Sequence, residues 1–241
     1  MLASFIRHGL TGDELFYEAF EQILAGSDTT ASALRIIMLY TITHPRVYAK
    51  LQSEIDAAVK AGIAPPSPGV ISDSKAAQLP YFGAVVREAL RVHPPVVNIF
   101  SRVVSKDGDT VTVDGKSYYL PGCTRIGYAA WSMHRNKAVY GEDAHVFRPE
   151  RWFVPESDPD GKERLARMIK TNDMVFGYGR WQCLGKTVAM IEIHKAVFEL
   201  LRNFDFALVN PEKPWTKIDT MGLFAIRDMW VQVTERQSIE G

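Results

Sequence analysis

Cysteine is nearly absent from this chain. Only Cys123 and Cys183 occur among 241 residues, which excludes the disulfide framework of a small secreted scaffold and fits a reducing compartment. Net charge is missing as well: Lys plus Arg and Asp plus Glu balance at 28 each, so no overall field gathers nucleic acid or an acidic membrane, and no nucleic-acid partner is expected. No apolar run approaches the length of a membrane span, and the opening Met1-Leu2-Ala3-Ser4-Phe5-Ile6-Arg7 is too short for a signal peptide. Internal repeats are lacking too. What remains is a chain with 46% hydrophobic residues, long enough for one large domain or two small ones.

The patterning predicts a mainly α fold with small β-sheets, of the α+β class. Phe16, Phe20, Ile23, Leu34, Ile37 and Met38 recur at helical spacing, and nothing breaks the pattern before His44-Pro45, so residues 12–43 read as one long helix. An amphipathic helix over 47–59 follows, then a Pro/Gly/Ser loop over 61–74 and a short helix opened by Pro80 and closed by Pro94-Pro95. β-branched runs at 96–104 and 110–113 precede Asp114-Gly115, a hairpin turn signal, and a strand over 116–120. A short helix at 129–134, an aperiodic stretch at 138–159 and a helix over 184–204 with Val188, Ile191, Phe198 and Leu201 on one face come next. A strand pair within 206–233, interrupted by Met221-Gly222-Leu223, ends the pattern.

The chemistry concentrates in Phe176-Gly177-Tyr178-Gly179-Arg180-Trp181-Gln182-Cys183-Leu184-Gly185, a glycine-punctuated loop running into an apolar helix. Backbone N–H groups at the start of that helix supply the positive potential that keeps a thiolate deprotonated. Gly177, Gly179 and Gly185 let main chain approach a flat macrocycle, and Phe176 covers the sulfur. Taken alone, Cys183 reads equally as a buried inert thiol, or as a nucleophile with His194 or His134 as base.

Three further motifs stand in order around it. Ala25-Gly26-Ser27-Asp28-Thr29-Thr30 places an acid, alcohols and a glycine in mid-helix, where Gly26 costs about 1 kcal/mol relative to alanine and a threonine hydroxyl bonds back to a carbonyl one turn earlier, locally bending the helix. Asp28 and Thr29 also fit a plain solvated helix face. Glu88-Ala89-Leu90-Arg91 sets a carboxylate and a guanidinium three apart on one helix face, by itself only an ion pair. Phe147-Arg148-Pro149-Glu150-Arg151-Trp152 completes the set.

Together these motifs resemble the cytochrome P-450 superfamily, and the Gly-Arg-Trp-Gln-Cys-Leu-Gly-Lys wording resembles its fungal, eukaryotic-type members. The resemblance implies heme b, iron protoporphyrin IX, with Cys183 as the axial thiolate and metal ligand. It implies that Asp28 and Thr29 relay protons for dioxygen reduction, and that Glu88, Arg91 and Arg151 form a buried structural clamp rather than a catalytic group. One position departs from the family: Trp181 stands where an arginine or histidine usually pairs with a heme propionate. That role passes by resemblance to Arg102 and Arg180, each of which also reads as a solvated charge.

The resemblance spans essentially all of residues 1–241 but only the C-terminal half of a family member, a partial heme domain lacking the N-terminal half and membrane anchor. It implies a heme-thiolate monooxygenase using O2 and electrons from an NADPH-dependent reductase. The electron donor would dock on the charge of Arg180, Lys186 and Lys195, which solvated helix charges explain equally well. The segments Val96-Val97-Asn98 and Met221-Gly222-Leu223 would reach the distal pocket. Their apolar character fits a small hydrophobic organic substrate, as it fits ordinary core packing. A full-length relative would sit at the endoplasmic reticulum membrane. The alternatives are a truncated, non-catalytic heme-binding fragment and a thiolate-heme isomerase or dehydratase, the last of which has no need of the Asp28-Thr29 relay.

Overall fold

Prolines set two of the helix starts. The structure, a computed structural model, describes residues 2–97, 100–155, 157–220 and 222–236. After α1 (Leu2–Arg7) comes the 31-residue α2 (Gly12–Ile42), followed by α3 (Pro45–Lys60), α4 (Asp73–Ala76) and α5 (Pro80–Val92). Pro45 and Pro80 occupy the first helical turn of α3 and α5, where a missing N–H is no loss. Then come β1 (Arg102–Val103), β2 (Asp109–Val113), β3 (Lys116–Leu120), β4 (Arg125–Ile126), α6 (Ala130–Met133) and α7 (Lys137–Tyr140). The chain ends through α8 (Gly161–Asp173), α9 (Lys186–Asn203), β5 (Phe204–Leu208), β6 (Thr216–Thr220), β7 (Leu223–Arg227) and β8 (Val231–Glu235). The fold is mainly α with small sheets, as the patterning indicates.

Every sheet is a two-stranded antiparallel pair. In β2–β3, Val113 faces Lys116 across Asp114 and Gly115, whose φ values of 50° and 75° give the doubly left-handed turn that a tight hairpin requires. The C-terminal strands are not one interrupted pair but two nested ones: β6 pairs with β7, and β5 with β8. Arg236, just beyond β8, grips both carboxylate oxygens of Asp56 on α3 at 3.1 and 3.0 Å and donates to the carbonyl of Leu201.

The core lies where the C-terminal half of α2, α3, α5 and α9 meet. Ile36, Ile37, Leu51, Ile55, Phe82, Val197, Phe198 and Leu201 are fully buried there, each contributing roughly 1.5–3 kcal/mol of burial. The helix over α9 departs from its expected stripe. Phe198 and Leu201 are core, but Val188 and Ile191 are exposed: Ile191 lies one heptad before Phe198 on the same face, and the burial of α9 begins only at Ile193. Helix α2 divides in the same way: Phe16, Phe20 and Ile23 keep helical spacing yet lie 63%, 55% and 68% exposed, while Ile36 to Leu39 are buried. It stays α-helical through Gly26, so the glycine and alcohols interrupt no turn of it.

Smaller differences have local causes. Helix α8, which the periodicity misses, carries few apolar residues and buries mainly Gly161, Met168 and Asn172. The loop over 61–74 runs into the single turn α4, and the aperiodic stretch over 138–159 contains the end of α7 and a 3-10 turn at Pro149–Trp152. The β-branched run at 96–104 yields only the two-residue β1 and a bridge at Val96, with Asn98 outside the described residues. Among the described residues no helix is long and apolar enough to cross a membrane.

Candidate heme-thiolate site

The loop before α9 is built from turns. A 3-10 turn, Met174–Phe176, ends at Gly177 with φ +73°, and a second, Gly179–Trp181, opens with Gly179 at φ +67°; both are conformations that a side chain resists. The N–H of Cys183 donates to the carbonyl of Phe176 at 2.8 Å, folding the loop back on itself and presenting the cysteine two residues before Gly185, the cap of α9. Cys183 is exposed. A Cβ on Gly185 would lie 3.8 Å from its sulfur, in ordinary contact range. The helix end offers unpaired N–H groups and partial positive charge to a thiolate.

This geometry fits an iron held by a single protein sulfur. Among the described residues no group of three or more His, Cys, Asp or Glu side chains forms a metal cage. A lone exposed cysteine in a glycine turn suits a metal whose remaining in-plane ligands come from a macrocycle. For the nucleophile reading, no hydrogen bond among the described residues joins the Cys183 sulfur to either histidine: Nδ1 of His194 lies 2.7 Å from Asp73, and neither ring nitrogen of the fully buried His134 has a hydrogen-bond partner there.

The loop gathers two of the expected cations. The guanidinium of Arg102, on β1, lies 5.6 Å from the Trp181 ring centre and that of Arg180 lies 5.2 Å from it. Arg102 also donates to the carbonyl of Phe100 at 2.9 Å. Neither guanidinium forms an ion pair with any described carboxylate. Lys186 is different: it pairs with Asp173 at 3.6 Å and lies 5.4 Å from the Phe176 ring centre, so Asp173 partly neutralises the charge expected to face a redox partner. Tyr128 is a site neighbour that the sequence did not single out. Its hydroxyl donates to the carbonyl of Met174 at 2.9 Å, and burial pushes its phenol up against the opposing pull of Arg102. An isolated tyrosine between short strands and a helix carries no motif, so only the fold reveals it.

Asp28 is exposed on α2, and Thr29 donates its hydroxyl to the carbonyl of Ala25 at 2.7 Å, the back-bond expected of a mid-helix threonine. Ser27 does the same to Ile23. The two apolar segments expected near a distal pocket are joined: the N–H of Val97 donates to the carbonyl of Gly222 at 2.7 Å. Asn98 and Met221 lie outside the described residues.

Glu88, Arg91 and Arg151 come together in full burial. Arg91 donates Nε and Nη2 to the two oxygens of Glu88 at 2.9 and 2.8 Å, and Arg151 donates Nε to the same carboxylate at 2.8 Å. Trp152 adds its indole N–H and Arg148 its backbone N–H. The remaining guanidinium donors reach loop carbonyls, from Arg91 to His134, Ala144 and Val146, and from Arg151 to Tyr140, Asp143 and Val146. This explains the choice of arginine: an irregular loop buried against α5 has carbonyls that no ladder satisfies, and a planar five-donor fork satisfies several at once. Asp143 is the second counterion, on Arg151 at 2.9 Å and Arg148 at 2.6 Å. Partial burial would raise its carboxyl, but these two arginines overrule that and hold it down at about 2.

The comparisons with known proteins agree with one another. Cytochrome P450 monooxygenase ABA1 of Pyricularia oryzae is 44% identical over 236 residues, which are 98% of this chain and 44% of that protein. Cytochrome P450 monooxygenase aba1 of Botryotinia fuckeliana is 38% identical over 240 residues, 100% of this chain and 45% of its own length. Cytochrome P450 monooxygenase abl1 of Leptosphaeria maculans is 37% identical over 230 residues, 93% and 38% respectively. The chain thus spans less than half the length of these curated relatives. The family model described as Cytochrome P450 matches residues 4–232, and with the cysteine loop, the Glu88 clamp and these relatives the chain belongs to the cytochrome P450 family.

Proposed function

We propose that residues 1–241 are the cysteine-ligand portion of the heme domain of a heme-thiolate monooxygenase, acting on a small hydrophobic organic substrate. The observation that carries this reading is the exposed Cys183 sulfur at the positive end of α9, inside a loop that also collects two guanidinium groups with no carboxylate partner among the described residues. Bound heme b would supply the dioxygen-activating chemistry, with electrons from an NADPH-dependent reductase. Cys183 would hold it through sulfur, Arg102 and Arg180 through the propionates, and the open backbone at Gly177, Gly179 and Gly185 leaves room for its face. A location at the endoplasmic reticulum membrane for the longer relatives belongs to the same reading.

The distal residues have definable tasks. The Thr29 hydroxyl donates to the carbonyl of Ala25, so passing a proton onward requires that bond to open, and the carboxyl of Asp28 stands exposed one residue earlier. With that bond open, Thr29 would accept a proton from water and donate its own toward bound dioxygen, and Asp28 would orient that water. Such a relay would favour the monooxygenase over an isomerase or dehydratase, neither of which has to reduce dioxygen. Val97 and Gly222, tied by their hydrogen bond, form an apolar flank fitting a hydrophobic substrate.

Two results test this. Reduced heme-reconstituted chain exposed to carbon monoxide is expected to show the strongly red-shifted Soret band of thiolate ligation, and Cys183→Ser to lose it while folding normally. A spectrum like free or histidine-ligated heme would overturn the assignment and leave a non-catalytic fragment. In a preparation that turns over substrate, Thr29→Ala is expected to divert electrons from product to peroxide several-fold. Unchanged coupling would reduce Asp28 and Thr29 to a solvated pair.

A further inference from the structure

A tryptophan stands in the cysteine loop where it brings no charge, yet two charges are found around it. Arg102 arrives from β1, about eighty residues earlier in the chain, and Arg180 from the preceding position, and both guanidinium carbons lie within 5.6 Å of the same ring centre. Two like charges sharing one ring repel, and among the described residues no carboxylate compensates either. The ring itself offsets part of that cost, because an indole face attracts a cation through its quadrupole. Arg102 is further fixed by donating from Nη1 to the carbonyls of Phe100 and Ser101 at 2.9 and 3.4 Å, which leaves its other nitrogens free to turn outward. The result is a pair of cations held beside the Cys183 loop around an exposed aromatic plate, 63% accessible.

We infer that Trp181 is a positioning residue, its indole face holding Arg102 and Arg180 in place to receive the two carboxylates of an iron porphyrin dianion. This rests on the heme-thiolate reading. It explains how the loop manages without a charged residue at position 181: the ring needs no charge of its own because it organises two that come from elsewhere. The indole N–H is secondary, since the ring face makes the contact with both cations.

The test compares uptake of iron protoporphyrin IX and its dimethyl ester by the 241-residue chain and by Trp181→Leu and Trp181→Phe, followed by Soret absorbance. Trp181 is exposed, so neither variant disturbs the core. The diacid is expected to bind Trp181→Leu roughly 5- to 30-fold more weakly, the loss of two exposed cation–π contacts. Trp181→Phe should stay close to wild type, and the ester should bind all three alike. The bound diacid should keep its thiolate signature in each. Equal diacid binding by Trp181→Leu, a parallel loss of diacid and ester, or a Trp181→Phe as weak as Trp181→Leu would each overturn the proposal while leaving Cys183 ligation intact. Nitrogen-edited spectra of the porphyrin-free chain give an independent arm. The side-chain N–H signals of Arg102 and Arg180 should be shifted by the ring current in wild type and Trp181→Phe and relaxed in Trp181→Leu. Absence of that shift in wild type overturns the platform. Diacid bound without the thiolate signature defeats the heme-thiolate reading instead, and uptake of neither porphyrin defeats both the thiolate reading and the carboxylate role.

Discussion

Glu88→Gln is expected to destabilise the protein by about 3–5 kcal/mol, a large share of a total stability of about 5–15 kcal/mol. The carboxylate is fully buried and serves Arg91 and Arg151 at once, with Asp143 as the second negative group on Arg151. Removing one charge turns a balanced buried cluster into one with an uncompensated guanidinium. Glutamine keeps the shape and one acceptor but cannot accept from both arginines, Trp152 and the Arg148 backbone in the same geometry. The loss should spread to the loop, because Arg91 and Arg151 hold its carbonyls from residue 134 to 146. Denaturant midpoints of Glu88→Gln, Arg151→Met and the double variant check this. A strongly non-additive cycle is expected, and a Glu88→Gln within 1 kcal/mol of wild type would show that the cluster is not a clamp.

The second large effect is acid sensitivity well above the carboxylate range. His93 and His134 are buried, and their pKa values fall from 6.5 to about 4. Burial is the main cause for both, reinforced at His93 by Lys217 and Arg135 and at His134 by Arg91 and Arg135. Between 6.5 and 4 the unfolded chain binds protons that the folded chain does not, so stability declines as pH falls through that window. The full decline is of order 3 kcal/mol per histidine. Asp143 acts lower: its depressed carboxyl adds stability above about 3.8 that is lost toward 2. Guanidinium unfolding at pH 7 and pH 5 measures the first window. His134→Leu should be nearly neutral at pH 7, since neither ring nitrogen has a partner to lose, and should shed about half of the loss between pH 7 and pH 5. A variant with the whole wild-type slope would refute the assignment to His134.

Much of the architecture was legible because its signals are local. Pro45 and Pro80 fix helix starts by removing a donor, and Asp114-Gly115 fixes a hairpin by tolerating positive φ. The Cys183 loop was legible for the same reason, being a turn chemistry written in consecutive residues. Partnerships were harder to read. The spacing of Phe16, Phe20 and Ile23 announces a helix face but not what covers it, and Val188 and Ile191 precede the part of α9 that the core covers. Helix α8 escaped notice because a single buried row around Met168 is too thin an apolar pattern. Glu88 and Arg91 reveal their pairing by spacing alone, whereas the loop carbonyls they serve depend on the path of the chain between 134 and 146. Nothing in the neighbours of Trp181 foretold that Arg102 would reach it.

The nested C-terminal strands also join parts of the chain that lie far apart in sequence. β5 follows α9 directly and pairs with β8, and just beyond β8 the Arg236 grip on Asp56 closes a loop 180 residues long. The entropy of closing a loop grows only slowly with its length, so this latch ties the last strand to α3 at little more cost than a much shorter connection would.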